Sequence, residues 1–352
     1  MTTEMTIALD AMGGDNAPAM IIDGAATASR QNPNVQFLLF GNEEVLGPLL
    51  GGHPRLSKKA EIRHTTEFVS TGDKPSHALR RLTQSSMRLA IDSVHLGESQ
   101  AVVSAGNTGA LMAISKVILK TQEGIDRPAM ISYFPTVRGE SSMLDLGANI
   151  ECNAKNLVQF AIMGAAFARS VLGIERPTVG LLNVGSEEIK GKEEVRAANQ
   201  VLKKTIFDFE YCGFIEGNNI GEGSVDVVVT DGFTGNAVLK TTEGMAKMFK
   251  VYLIAAFKRS LASRLGYLLA KPALDAFSAK LDPRQYDGAM FLGLNGVVVK
   301  SHGSTDAEGF ANAVGVAIDM IKGEFNERIH VNLELIGSQP EQHETFAQTA
   351  LM

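Results

Sequence analysis

The chain has 352 residues, 45% of them hydrophobic and 20% charged, which is typical of a globular protein with a large core and excludes intrinsic disorder. Its formal net charge of −6 argues against a nucleic-acid partner, and two cysteines, Cys152 and Cys212, are too few for a disulfide framework or a zinc site. The first residues lack the pattern of a signal peptide and no apolar stretch approaches a membrane-spanning length, so we expect a cytoplasmic protein.

Strand and helix patterns alternate along most of the chain. In chain order, they predict a strand at 5–9, a helix at 18–31, a strand at 35–40, helices at 76–96 and 108–120, strands at 129–134 and 142–146, a helix at 153–172, a strand near 179, a helix at 192–204, a strand near 225, a long helical stretch at 233–280 with breaks near 263–266 and at Pro272, strands near 290 and 297, and a helix at 305–322.

The strands read as continuous β-branched runs, which is typical of parallel strands buried on both faces. With helices between them, we expect an α/β protein with a doubly wound, mostly parallel sheet. The length suggests two lobes with a cleft, but no Pro/Gly/Ser-rich linker marks a boundary. We therefore treat residues 1–352 as one catalytic unit.

Six apolar runs end abruptly in clusters of Gly, Asp, Asn, Ser or Thr. These clusters close the segments 7–15, 101–109, 143–149, 179–188, 225–236 and 297–303. In open α/β sheets, ligands bind at the carboxyl ends of the strands, where small residues and helix N-termini favour anions. A single such loop is most simply a glycine turn. Six converging loops predict a site for a small, highly charged group.

The spacing of these glycines matches neither the G-x-G-x-x-G nor the G-x-x-x-x-G-K-[ST] pattern, so we expect no nucleotide and no other cofactor or metal. The loops instead offer backbone N–H groups, amides and hydroxyls suited to phosphate or carboxylate. The candidate substrate-binding residues are Gly13, Gly14, Ser104, Gly106, Asn107, Thr108, Gly109, Asn149, Asn183, Gly185, Gly232, Thr234, Gly235 and Asn236.

Titratable candidates at the strand ends are sparse. As catalytic candidates we take Asp15, Asp231, Lys190, Lys240 and His302. The aspartates could equally make turns, solvated lysines are the commoner outcome, and His302 could equally be a structural histidine. No Ser–His or Cys–His set occurs in these loops, which argues against a covalent intermediate. A substrate that is itself the nucleophile, such as inorganic phosphate, fits better.

The segment 247–280 contains seven Lys/Arg and one acid, a net charge of +6 that leaves −12 for the remainder of the chain. Apolar residues between 245 and 257, around the start of this segment, recur with the spacing of one helix face. Basic amphipathic helices bind anionic membranes or acidic proteins, whereas the alternative is a dimer-forming helix pair. The candidate contacts are Lys250, Tyr252, Lys258, Arg259 and Arg264, in the basic amphipathic segment 245–280.

Seven motifs, in order, resemble the bacterial phosphate acyltransferases of phospholipid synthesis, and the likeness covers nearly all of 7–303. They are Asp10-Ala-Met-Gly-Gly-Asp15, Lys74-Pro-Ser-His-Ala-Leu-Arg80, Val103-Ser-Ala-Gly-Asn-Thr-Gly-Ala-Leu-Met112, Leu144-Asp-Leu-Gly-Ala-Asn149, Leu181-Leu-Asn-Val-Gly185, Asp231-Gly-Phe-Thr-Gly-Asn236 and Ser301-His-Gly303. Two positions depart from the family pattern: Asn16 replaces a histidine, and Ser186 precedes the acidic pair of its loop. A proton-transfer role at position 16 is therefore not expected.

This resemblance implies a homodimer whose fold is similar to that of the isocitrate/isopropylmalate dehydrogenase and phosphotransacetylase group. It implies transfer of a fatty acyl chain from acyl carrier protein to inorganic phosphate, giving acyl phosphate for a downstream membrane glycerol-phosphate acyltransferase. It also implies that the basic segment 245–280 protrudes and meets carrier and membrane, so that the protein is peripherally membrane-associated. The alternatives are a phosphotransacetylase-like enzyme that uses acyl-coenzyme A and a non-catalytic phospho-ligand sensor.

Overall fold

The computed structural model describes residues 5–280 and 288–323, together with Phe325 and Ile329. Eleven described strands form one sheet. They are β1 (Met5–Asp10), β2 (Val35–Gly41), β3 (Ala60–His64), β4 (Ala101–Ser104), β5 (Ala129–Pro135), β6 (Glu140–Leu144), β7 (Thr178–Leu182), β8 (Glu210–Ile215), β9 (Val227–Val229), β10 (Ala289–Leu292) and β11 (Val297–Lys300).

The strand order is β3-β2-β1-β4-β11-β10-β5-β6-β9-β7-β8, and the direction of the strands reverses within the sheet. Strands β3, β2, β1, β4 and β11 are parallel to one another, as are β6, β9, β7 and β8. Between these two blocks, β10 pairs antiparallel with β11 and β5, and β5 pairs antiparallel with β6. The two blocks therefore run in opposite directions.

Helices cover both faces of the sheet. They are α1 (Ala19–Gln31), α2 (Glu43–Gly51), α3 (Pro54–Ser57), α4 (Pro75–Arg81), α5 (Ser86–His95), α6 (Thr108–Ile118), α7 (Ala154–Leu172), α8 (Glu193–Lys204), α9 (Gly217–Glu222), α10 (Gly232–Lys258), α11 (Leu261–Lys280) and α12 (Ala307–Lys322). Alternate residues of β1 point to opposite faces: Ile7 and Leu9 join the core under α1, α7 and α12, whereas Ala8 joins the core under α5 and α6. The predicted doubly wound α/β fold with a mostly parallel sheet is confirmed.

Most predicted elements are present, with ends shifted by a few residues, but the predicted helix at 76–96 is two helices. Helix α4 ends at Arg81, and α5 starts at Ser86 after its cap residue Ser85, whose side chain accepts the N–H of Arg88 at 3.4 Å. The elements α2, α3, β3, β8 and α9 were not predicted. Their apolar residues are too few or too irregularly spaced to reveal a period.

The break in the predicted stretch 233–280 lies at Arg259–Ser260 rather than at 263–266. The Ser260 side chain accepts the N–H of Ser263 at 3.0 Å and so caps the start of α11. Pro272 lies inside α11 and does not end it. Helices α10 and α11 form an antiparallel hairpin, in which the rings of Phe257 and Tyr267 lie 5.4 Å apart and those of Phe249 and Phe277 lie 6.3 Å apart. No helix among the described residues is long and apolar enough to cross a bilayer.

Candidate active site

The six polar loops divide into two groups of three. Loops after β1, β4 and β11 form the first loop group (10–16, 104–109 and 300–306), and loops after β6, β7 and β9 form the second (144–153, 182–192 and 230–236). Every loop follows a strand end, as predicted. The expectation that all six converge on one edge is wrong, because the two groups follow strands that run in opposite directions.

A buried carboxylate organises the first loop group. Asp10 is 1% exposed and accepts hydrogen bonds from Ser86 Oγ at 2.6 Å and from Ser104 Oγ at 2.7 Å. Burial raises the pKa of Asp10, against the opposing effects of these hydrogen bonds and of the Lys300 charge. A side chain at Gly13 would collide with Asp10 Oδ2, so the close approach of this carboxylate already requires glycine at this position.

Two predicted ligands of the turn after β4 are already engaged within the protein. Ser104 is fully buried, donates to Asp10 and accepts the backbone N–H of Gly106 at 3.0 Å. Asn107 caps α6 by accepting the N–H of Ala110 at 3.0 Å, and its amide donates to other carbonyls. Thr108 and Gly109, by contrast, are exposed, and in the described part of the chain their backbone N–H groups have no hydrogen-bond acceptor.

The loops after β1 and β11 meet beside this turn. The N–H of Asp15 donates to the carbonyl of Gly303 at 2.8 Å, and a Cβ on Gly14 would lie 2.9 Å from that of Ala105. Asp15 and His302 are both exposed, and His302 Nδ1 lies 3.1 Å from Ser304 Oγ. The structure thus brings the predicted catalytic candidates Asp15 and His302 into one loop group with the start of α6.

A second buried carboxylate organises the loop after β6. Asp145 accepts the backbone N–H groups of Met130, Ala148 and Asn149 at 2.6–3.1 Å and the Asn149 side-chain amide at 2.9 Å. Burial raises the pKa of Asp145 in spite of these hydrogen bonds. Asn149 also donates to the carbonyl of Pro128 at 2.8 Å, so its side chain is used within the protein.

The start of α10 is packed against this loop and capped by a carboxylate. The N–H of Gly232 donates to the carbonyl of Asn149 at 2.7 Å, and Asp231 accepts the N–H of Thr234 at 2.8 Å and lies 3.1 Å from the Lys192 ammonium. Burial alone would raise the pKa of Asp231, but its hydrogen bonds to Thr234 and the Lys192 charge hold it below its usual value. Asn236 is exposed and lies over Gly147.

The remaining predicted residues of the second loop group also have partners. The Asn183 amide donates to the carbonyls of Gly185 at 3.2 Å and Lys190 at 3.0 Å, and so shapes the loop between them. The exposed Lys190 pairs with Glu187 at 2.8 Å. Lys240 lies in the third turn of α10, where it pairs with Glu243 at 3.0 Å.

A cavity of about 350 Å³ opens beside α10 and contains one thiol. It is lined by Glu151, Cys152, Leu157, Lys192, Glu194, Val195 and Asp231. Burial and the nearby Asp145 charge raise the pKa of Cys152 to about 12, so the thiol is protonated at neutral pH. Cys152 is therefore a poor nucleophile, as predicted from the lack of a nearby histidine.

The sequence analysis missed the residues that hold the loops in place: Asp10, Ser86, Lys300, Asp145 and Lys192. Asp10 is the last residue of β1, and Asp145 directly follows β6. Both occur in the motifs quoted above, where a charged residue at the end of a buried strand could have identified them as organising residues. Lys300 is buried and donates to the carbonyl of Ala105 at 3.2 Å, which its position in a run of valines did not indicate.

Relatives with known names match almost the whole chain. A family model described as "Fatty acid synthesis protein" matches residues 5–328. A protein of Rhodospirillum rubrum named Phosphate acyltransferase is 56% identical over 329 residues, covering 94% of this chain and 94% of the relative. A protein of the same name from Rhodospirillum centenum is 57% identical, covering 95% and 94%.

Solved structures with little sequence identity share the fold. A phosphotransacetylase from Streptococcus pyogenes aligns with a TM-score of 0.60 at 15% identity, covering 94% of this chain and 95% of that one. The EutD phosphotransacetylase from Staphylococcus aureus aligns with a TM-score of 0.58 at 16% identity, covering 90% and 94%. The full-length matches at more than half identity identify the family: the chain belongs to the phosphate acyltransferases, the enzymes of the family described as "Fatty acid synthesis protein".

Proposed function

We propose that this chain transfers a fatty acyl group from acyl carrier protein to inorganic phosphate, giving an acyl phosphate for phospholipid synthesis. The family name supports phosphate as a substrate and acyl transfer as the reaction class. One observation carries the choice of donor. It is the exposed, apolar and basic hairpin of α10 and α11, which suits an acidic carrier bearing a long apolar chain.

Among the helices that follow the polar loops, we place phosphate at the start of α6. Its first turn has a neutral cap, Asn107, no acidic residue, and the exposed N–H groups of Thr108 and Gly109. Such N–H groups and the positive end of the helix dipole favour an anion. Lys300, whose ammonium lies behind the turn at the carbonyl of Ala105, offsets the charge of the nearby Asp10 carboxylate.

Three other helices that follow the polar loops already have carboxylates at their starts. Asp231 caps α10, Asp306 caps α12, and α8 carries Glu193 and Glu194 in its first turn. A dianionic phosphate would be repelled by these groups. Of the predicted ligands, we therefore place Thr108 and Gly109 against phosphate and assign supporting roles to Asn107, Asn149, Gly232 and Thr234.

We propose direct attack, without an acyl-enzyme. A phosphate oxygen attacks the thioester carbonyl carbon, a C–O bond forms, the C–S bond breaks, and the carrier thiol leaves with a proton. Asp15 and His302 are the exposed titratable groups of the first loop group that could assist that proton, since both lie beside the turn that opens α6. The protonated thiol of Cys152 argues against a covalent route.

The hairpin supplies the surface for the donor. Helix α10 has 27 residues and so extends about 40 Å, and in this fully described helix only Gly232 and Gly235 are buried. Large apolar side chains are exposed along both helices, for example Tyr252 at 66% and Leu269 at 79%. Exposed apolar area of this extent marks an interaction surface. Lys250, Lys258, Arg259 and Arg264 supply the positive charge for an acidic carrier.

The same hairpin supports three further parts of the proposal. Its charge suits an anionic membrane surface, to which the protein would bind peripherally. An acyl phosphate with a long chain is amphipathic, so release near the membrane would pass it to a glycerol-phosphate acyltransferase there. A homodimer would cover part of the exposed apolar area.

An assay with purified components tests the function. Acyl carrier protein thioester and phosphate are mixed with the protein, and acyl phosphate and free carrier thiol are measured together. We expect equal amounts of both products, dependent on phosphate. The same rate with acyl-coenzyme A would favour the phosphotransacetylase-like alternative, and no turnover with either donor would contradict the proposal.

A further inference from the structure

One side of the α6 turn is covered by a separate segment of the chain. Asn107 Nδ2 donates to the carbonyl of Thr71 at 2.9 Å and to the carbonyl of Asp73 at 3.0 Å. The same side chain caps α6 through Oδ1, which accepts the N–H of Ala110 at 3.0 Å. Both amide hydrogens of Asn107 are thus used to fasten the segment 70–75, which we call the strap, to the start of α6.

A second contact fixes the strap one residue beyond Lys74. A Cβ on Gly109 would lie 2.8 Å from Pro75 Cγ, so the two residues are closely packed. Lys74 lies between Asp73, which accepts from Asn107, and Pro75, which packs on Gly109. Its backbone is therefore held beside the first turn of α6 on both sides.

The Lys74 side chain is available to bind an anion. It is exposed, and in the described residues its ammonium has no ion-pair partner within 4.0 Å. The adjacent carboxylate is turned toward its own loop, since Asp73 Oδ2 accepts the N–H of Ser70 at 2.8 Å and Oδ1 lies 3.8 Å from His77 Nδ1. An ammonium on a flexible four-carbon stem can follow phosphate between bound positions.

We propose that Asn107 is a positioning residue that fastens the strap and so holds Lys74 beside the exposed N–H groups of Thr108 and Gly109, where its ammonium contacts phosphate. This rests on the proposed function, which places phosphate at α6. It replaces the direct phosphate contact predicted for Asn107 by an indirect one. It also gives a role to the motif Lys74-Pro-Ser-His-Ala-Leu-Arg80, which the catalytic proposal left without one.

Two single variants and their combination test the inference. Asn107→Ser keeps an oxygen that can cap α6 but loses both donations to the strap, and Lys74→Gln removes only the charge. Each should raise KM for phosphate about tenfold, with kcat and KM for the carrier thioester little changed, because a hydrogen bond to a charged group is lost. Since Asn107 acts through Lys74, the double variant should be no worse than Lys74→Gln alone.

A matched control separates strap fastening from helix capping. Asn42 caps α2 by accepting the N–H of Glu44 at 3.0 Å, and among the described residues its amide donates to no other segment. Asn42→Ser should leave both KM values unchanged. Hydrogen exchange of peptides covering 66–74 should become faster in Asn107→Ser but not in Lys74→Gln or Asn42→Ser, a readout that needs no turnover.

Several results would overturn the inference. They are an unchanged phosphate KM in either single variant, additive effects in the double variant, or a rise confined to the carrier thioester KM. If the wild type makes no acyl phosphate, the proposed reaction has failed. Calorimetric titration with inorganic phosphate then tests this inference without turnover. Tenfold weaker phosphate binding by both Asn107→Ser and Lys74→Gln would support it. Equal phosphate affinity in all variants, or no phosphate binding by the wild type, would overturn the inference.

Discussion

The carboxylate of Asp231 lies 3.1 Å from the ammonium of Lys192, and both residues line the cavity beside α10. Asp231 also caps α10 through the N–H of Thr234. The pair joins the loop after β9 to the start of α8. Asp231, one of the predicted catalytic residues, therefore also contributes to the stability of the fold, which can be measured apart from activity.

Replacing Asp231 should separate its capping role from its charge. Asp231→Ala loses the cap and should lower the free energy of unfolding by roughly 0.5–2 kcal/mol. Asp231→Asn keeps an acceptor and loses only the charge opposite the largely exposed Lys192, so we expect a loss of about 1 kcal/mol or less. Urea denaturation of the three proteins at pH 7 gives both values.

The pH dependence of the same comparison has a definite sign. The pKa of Asp231 is held below its usual value in the folded protein, so its charge stabilises the fold above the unfolded pKa near 3.8. That contribution is lost as pH falls through the lower folded pKa. The difference between wild type and Asp231→Asn should therefore be full at pH 7 and shrink below about pH 4. A difference that grows on acidification would contradict this assignment.

Gly235 should be required by packing rather than by a ligand. A Cβ at this position would lie 1.9 Å from the carbonyl oxygen of Asp145, whereas one on Gly244 in the same helix meets nothing within 4 Å. Gly235→Ala should destabilise the protein by at least about 1–3 kcal/mol, and Gly244→Ala should stabilise it by up to about 1 kcal/mol. Thermal unfolding of both variants checks this, and equal effects would show that the close approach does not matter.

Neither cysteine should form an acyl-enzyme. Burial raises the pKa of Cys152 to about 12, and partial desolvation together with the Glu210 and Asp226 charges raises that of Cys212 at the surface, so both thiols are protonated at neutral pH. Cys152→Ala and Cys212→Ala should keep most of the wild-type kcat. Intact-mass measurement during turnover should show no added acyl group, and a covalent adduct on either residue would refute direct attack.

The elements of this fold follow from local patterns, but the direction of the sheet does not. Continuous valine runs at β4, β9 and β11 identify buried strands. The reversal depends on the antiparallel pairing of β10 with β5, whose partners Met130 and Phe291 lie far apart in the chain. Nothing within a short window indicates that pairing. The sequence therefore predicted correctly that the polar loops follow strand ends, but wrongly that they all lie at one edge of the sheet.

The roles of single site residues were harder to predict for the same reason. Asn107 has the residue type and place of a phosphate ligand, but its amide hydrogens are used by carbonyls of the strap, 34 and 36 residues away. Ser104 is used by Asp10, 94 residues earlier. Polar residue types at strand ends predict a polar site, whereas long-range hydrogen bonds decide which groups remain available to a substrate.

Charge reversal on the hairpin tests its role. The segment 247–280 carries a net +6 in a chain of −6, and Lys250, Lys258 and Arg259 are exposed. Changing all three to Glu should lower recovery with anionic vesicles and affinity for acyl carrier protein, while phosphate binding persists. Both attractions should also weaken with salt in the wild type, because exposed charges are screened beyond about 8 Å at physiological ionic strength.

The matched control for this triple variant replaces each of the three residues by the other basic residue type, Lys250→Arg, Lys258→Arg and Arg259→Lys, and so keeps the positive charge. Vesicle sedimentation and carrier titration of both proteins, with analytical ultracentrifugation alongside, distinguish the possible partners. Loss of vesicle binding alone indicates a membrane surface, and loss of carrier binding alone indicates a carrier surface. If the hairpin only joins two subunits, the reversed variant should dissociate or keep wild-type behaviour with both partners. In that case the exposed apolar side chains, such as Phe249 and Leu265, serve the dimer and not a membrane or carrier.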